Sequence, residues 1–94
     1  MRTPSKAILL VEDHQELAET VGAYLEASQY IVDYAGDGLT AMHLGVTNTY
    51  DAIVLDVMLP GVDGLTVCRR LRNDANITTP IIMLTARDQL PDKL

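Results

Sequence analysis

Three short apolar runs, Ala7-Ile8-Leu9-Leu10-Val11, Ala52-Ile53-Val54-Leu55 and Ile81-Ile82-Met83-Leu84, each stop on a residue able to do chemistry: Glu12-Asp13, Asp56 and Thr85. Continuous apolar runs of this length suit strands buried on both faces of a parallel sheet, and such sheets bind ligands beyond the C-terminal ends of their strands. The pattern therefore gathers carboxylates and a hydroxyl at one edge. Neighbouring strands lie about 4.8 Å apart, so Asp13 and Asp56 could share one hard cation, which Mg²⁺ would coordinate through oxygens at roughly 2.0–2.1 Å.

Between the runs lie amphipathic stretches, the alternation of a βα-repeating fold. From His14 to Ser28, Leu17, Ala18, Val21 and Leu25 share one helical face, with Glu16, Glu19 and Glu26 off it. Tyr30-Ile31-Val32-Asp33-Tyr34 reads as a short strand, and its charged Asp33 marks an edge. Asp37-Gly38 can start a second helix carrying Leu39, Met42 and Val46, with Asn48-Thr49 as the loop after it and Asp51 opening the central strand. A third helix is expected from about Gly64 to Arg72 with Leu65, Cys68 and Leu71 inward, closed by Asn73-Asp74-Ala75-Asn76.

The 94 residues, 48% of them hydrophobic, fit one small domain, and no run is long enough to cross a membrane. The apolar run after the basic start is only five residues, too short for a signal peptide, so a cytoplasmic location is expected. Cys68 is the one cysteine, which excludes an internal disulfide and reads as core filler. A net charge of −6 argues against direct contact of this segment with nucleic acid or anionic lipid. His43 and the Arg69, Arg70, Arg72 cluster read as solvated helix faces. His14, directly after the acidic pair, reads as a solvated helix-start residue, with the mouth of the pocket as its alternative place.

Around the central aspartate, Asp56-Val57-Met58-Leu59-Pro60-Gly61-Val62-Asp63-Gly64 resembles the receiver domain of bacterial two-component response regulators. The acidic pair Glu12-Asp13, the loop after Asp56, Asp63-Gly64 and Thr85-Ala86 fall in the family's order and spacing. Leu84-Thr85-Ala86-Arg87-Asp88 is most similar to regulators that carry a winged-helix DNA-binding domain. The resemblance implies a flavodoxin-like doubly wound parallel sheet with strand order second-first-third-fourth. It also implies a phosphoacceptor signalling domain rather than an enzyme. Asp56 would accept the phosphoryl group of a sensor histidine kinase. Asp13 would bind Mg²⁺ directly, Glu12 mostly through water and Met58 through its backbone carbonyl, while Thr85 would supply the switch hydroxyl.

The family continues with a fourth helix, a fifth strand, a lysine after that strand and a fifth helix. None is matched within residues 1–94, and Lys93, eight residues after Thr85, does not take the lysine's place. The expectation is thus a receiver incomplete at its C-terminus, prone to self-association along its last strand, touching DNA only through a C-terminal domain not in these residues.

Three rival functions stand beside this one. A receiver-like docking or dimerisation module would keep the fold without phosphorylation. Gly36-Asp37-Gly38-Leu39-Thr40-Ala41 matches a dinucleotide fingerprint, but it follows the second strand and turns Asp37 toward a pyrophosphate. An aspartyl-phosphate hydrolase would want a second Asp two residues after the first, where Met58 stands.

Overall fold

Every apolar run forms a strand and every amphipathic stretch a helix in the computed structural model, which describes residues 6–84. The order is β1 (Ala7–Val11), α1 (Gln15–Ala27), β2 (Ile31–Ala35), α2 (Gly38–Thr47), β3 (Ala52–Asp56), α3 (Gly64–Asn73) and β4 (Ile81–Leu84). The four strands make one parallel sheet in the order β2-β1-β3-β4, as expected, with the Asp33 strand at its edge.

Side chains alternate between the faces of a strand, so the two helical layers can be read from which residues are buried together. Leu9, Val11, Ile53 and Leu55 pack with Ala41 of α2 and Val67 and Leu71 of α3. Ile8 and Leu10 are equally buried but point to the other face, where α1 contributes Ala18 and Gly22. Helices therefore cover both faces, which is what allows the strands to be apolar throughout.

Ala18, Met42, Cys68 and Leu71 turn inward as expected, but α2 and α3 differ from expectation in the rest of the face they bury. In α2 the inner face is Gly38, Ala41 and Gly45, while Leu39 and Val46 stand exposed. Small residues let this helix approach α3 closely: a Cβ on Gly45 would sit 3.0 Å from a Leu71 methyl. In α3 Val67, not Leu65, faces the core with Leu71, and Cys68 is a half-buried free thiol packed against it. Arg72 is not simply solvated, since it donates to the Ile77 carbonyl at 2.7 Å and ties the end of α3 to the loop before β4.

Two polar locks fix the opposite end of the sheet from the acidic residues. Ala7 donates its N–H to the Asp51 carboxylate at 2.7 Å, and Asp51 returns its own N–H to the Ala7 carbonyl at 2.8 Å. Tyr50, buried in the core, donates its hydroxyl to Asp33 on β2 at 2.7 Å. Burial, with the neighbouring Asp33 carboxylate, pushes the Tyr50 phenol up to about 12.

Candidate functional site

Register decides what meets at the C-terminal edge. Val11 pairs with Leu55 and Asp56 with Leu84, so the residue after β1, Glu12, falls beside Asp56. Ligand atoms of Glu12, Asp13, His14 and Asp56 all lie within 4.8 Å of one another. Glu12, Asp13 and Asp56 lie together at the strand ends, and His14, read first as a solvated helix-start residue, lies with them at the pocket mouth that was its alternative place.

The two innermost carboxylates are the most buried charged groups of the described residues. Asp56 is 1% exposed and Glu12 5%. One Asp56 oxygen, Oδ1, accepts the Met58 N–H at 3.1 Å. The other, Oδ2, is buried without any hydrogen-bond partner among the described residues. A buried carboxylate oxygen left unpaired costs the full desolvation of that atom, so its place calls for a donor or a cation. Burial pushes the Glu12 carboxyl above its ordinary value of 4.5; the His14 backbone and ring bonds oppose this, and nearby Asp56 adds to it.

Close backbone packing holds Asp56 in position. Gly64 begins α3 directly over the Asp56 peptide, and a Cβ there would collide with the Asp56 carbonyl oxygen. Its N–H donates to the Val57 carbonyl at 2.9 Å, while Val57 donates to Leu84 across the sheet at 2.9 Å. The intervening loop bends at Pro60-Gly61, where Gly61 has φ +75°, a left-handed conformation that glycine adopts without steric cost. Asp63 then caps α3 by accepting the Thr66 N–H at 2.9 Å.

His14 is the residue that sequence reasoning undervalued. Its side chain is 55% exposed, yet Nδ1 lies 3.0 Å from Glu12 Oε2 and 3.5 Å from Asp13 Oδ1. Its backbone N–H donates to the same Glu12 oxygen at 3.0 Å. It occupies the N-cap position of α1 without a side-chain cap bond, so the ring is free to serve the pocket. Its adjacency to the acidic pair was the available signal. Thr85, the expected switch hydroxyl, and Lys93 lie outside the described residues. Met58, two residues after Asp56 in the loop that follows β3, is 52% exposed.

Beside the carboxylates a cavity of about 500 Å³ is lined by Glu12, Asp13, Gln15, Ala18, Glu19, Tyr34, Ala35 and Gly36. The rival dinucleotide site is filled by its own chain. Asp37 spends its carboxylate capping α2 on Thr40 at 2.7 Å, and Gly38 packs against the Val62 backbone.

A parallel sheet wound on both faces, with an acidic pocket at its carboxyl edge and a buried aspartate at the end of a central strand, defines a flavodoxin-like α/β domain of the receiver type. The chain belongs to the response regulator receiver domain family, which it matches over residues 8–94. It is 46% identical over 87 residues to the response regulator ArlR of Staphylococcus saprophyticus, covering 93% of this chain and 39% of that protein. It is 44% identical to the transcriptional activator protein IrlR of Burkholderia pseudomallei, over 93% of this chain and 37% of that one. The chain thus spans about two-fifths of the length of these curated relatives. Among solved structures, the receiver domain of Francisella response regulator 1452 superposes with a TM-score of 0.84 at 36% identity, covering 89% of this chain and 69% of that one. The receiver domain of the sensor histidine kinase PA1611 of Pseudomonas aeruginosa, with magnesium coordinated in its active-site cleft, gives 0.84 at 34% identity, covering 96% of this chain and 75% of that one.

Proposed function

We propose that this receiver takes a phosphoryl group from the phosphohistidine of a sensor histidine kinase onto Asp56, with Mg²⁺, and so switches a transcriptional output. The observation that carries the reading is Oδ2 of Asp56, buried within a cluster of three carboxylates and without a partner among the described residues. The donor set fits a hard divalent cation: Asp13 and Asp56 as direct ligands, Glu12 mostly through water, and the Met58 carbonyl as the backbone ligand. A bound Mg²⁺ would supply neutralisation of the crowded carboxylates and of the incoming phosphoryl oxygens.

The chain's own residues do the rest. The Asp56 carboxylate attacks phosphorus, the P–N bond breaks, the imidazole of the kinase leaves with its electron pair and takes a proton, and an acyl phosphate remains on Asp56. The Met58 N–H, already on Asp56 Oδ1, orients the carboxylate and leaves Oδ2 for the phosphoryl group. Thr85, next after the residue paired with Asp56, donates its hydroxyl to the phosphoryl group as the switch. The relatives called transcriptional support an output on DNA through a further domain, and a cytoplasmic site of action accords with the lack of any helix among the described residues long and apolar enough to cross a membrane. Incubating the full-length protein with acetyl phosphate and Mg²⁺ should label Asp56 alone by mass spectrometry. Label on another residue, or label that survives in Asp56→Asn, would end the assignment.

A further inference from the structure

The acidic pocket carries one donor that an oxygen-seeking cation does not need, the imidazole of His14. We infer that His14 is a ligand of the divalent cation in this chain and widens the site's preference from Mg²⁺ to borderline transition metals such as Mn²⁺ and Co²⁺. The inference rests on the metal-dependent reading of the site given above and assigns it an additional, nitrogen donor.

Three observations carry it. The first is proximity: a His14 ring nitrogen belongs to the same 4.8 Å cluster as the carboxylates of Glu12, Asp13 and Asp56. The second is spacing. Adjacent ligand atoms of an octahedral ion with bonds of roughly 2.0–2.1 Å lie about 2.9 Å apart. Nδ1 stands 3.5 Å from Oδ1 of Asp13, a direct ligand in the reading above, so a shift of about half an ångström brings the ring to the separation of neighbouring ligands. The third is the buried Oδ2 of Asp56, without a partner among the described residues, whose place calls for a donor or a cation in this pocket.

Chemistry turns this geometry into selectivity. Mg²⁺ favours oxygen and gains little from imidazole, whereas affinity for nitrogen rises along the series from Mn²⁺ through Co²⁺ and beyond. For Nδ1 to ligate, its proton must reside on Nε2, and the half-exposed ring leaves that nitrogen able to meet water. Glu12 loses the ring's hydrogen bond in exchange and keeps the one from the His14 backbone N–H.

Calorimetric titration of the chain with MgCl₂ and with CoCl₂, for wild type and His14→Ala, tests the inference, because the substituted residue makes no side-chain cap bond whose loss would unfold α1. His14→Ala should weaken Co²⁺ at least about tenfold and leave Mg²⁺ within about threefold, and added Mg²⁺ should displace Co²⁺ from wild type. Pulsed electron paramagnetic resonance of the Mn²⁺ form should show a ¹⁴N coupling that disappears in the variant. Equal weakening of both metals would make His14 only a positioning partner of Glu12 and overturn the inference, as would a wild-type Mn²⁺ spectrum without ¹⁴N coupling. Wild type that binds neither metal would overturn the metal-dependent reading itself, a separate result.

Discussion

Replacing Asp56 by Asn should stabilise the cation-free domain, although it removes the proposed acceptor. Asp56 is 1% exposed, Oδ2 has no partner among the described residues, and the carboxylates of Glu12 and Asp13 lie within 4.8 Å. Asn keeps the shape and can still accept the Met58 N–H on its oxygen, while its amide nitrogen replaces the orphaned oxygen with a donor beside Glu12. An unsatisfied buried polar atom costs about 1–3 kcal/mol, and more when charged, so a gain of about 2 kcal/mol is expected in EDTA. For a domain of this size each kcal/mol moves the melting temperature by roughly 4–8 °C, which makes the shift roughly 8–16 °C by circular dichroism. Mg²⁺ should then reverse the ranking: a ligand at a hundredfold its Kd stabilises by about 2.7 kcal/mol, and only wild type keeps the full ligand set. An Asp56→Asn variant that melts below wild type in EDTA, or that gains as much from Mg²⁺, would refute the claim that this carboxylate is held in place against its own electrostatics.

Other consequences follow from particular side chains. The Glu12 carboxyl is raised above 4.5 in the folded state, so its contribution to stability is complete below that value and is lost as pH rises through the raised one. Urea titrations in EDTA should therefore show stability falling from pH 4.5 toward neutrality, and Glu12→Gln should flatten that leg. Tyr50→Phe should cost about 1 kcal/mol in urea unfolding, because it deletes the bond to Asp33 but leaves that carboxylate free to rehydrate. The Tyr50 phenol rises from 10.0 to about 12, so wild type should lose stability between those pH values and the variant should not. Gly64→Ala places a methyl into the Asp56 peptide, where backbone cannot yield. A loss of about 1–3 kcal/mol or more is expected, with weaker cation binding in the same calorimetric cell; unchanged values for both would refute the tight packing of α3 on Asp56.

The strands and their order were legible because unbroken apolar runs have few other uses, and Asp33 announced the edge on which β2 lies. Glu12, Asp13 and Asp56 followed from strand ends alone. The faces of α2 and α3 were legible only in part, at Met42, Cys68 and Leu71; periodicity weights large side chains, whereas α2 makes its contact through Gly38, Ala41 and Gly45 while Leu39 and Leu65 face water. A helix that packs through small residues hides its core face from hydropathy. His14 escaped for a different reason. A polar residue at a helix start has an ordinary explanation as a cap, and only coordinates show that its ring bonds Glu12 instead of the helix N-terminus. The Tyr50–Asp33 bond joins residues 17 apart and left no local trace.

Register has one more consequence, for how the molecule comes into being. The pairs Ala7–Ile31, Ile8–Ala52 and Ile53–Ile81 join positions 24, 44 and 28 residues apart, so no strand pairing in the described sheet is local. Topologies of this kind fold slowly for their size, because chain must be looped before any contact rewards it. Glu12 and Asp13 emerge from a ribosome long before Asp56, and no segment ending ahead of β3 can hold the cluster. Capture of a divalent ion by a growing or refolding chain is therefore a timestamp for the closing of β1 on β3, visible in a stopped-flow mixing experiment as a phase that never precedes the gain of sheet structure.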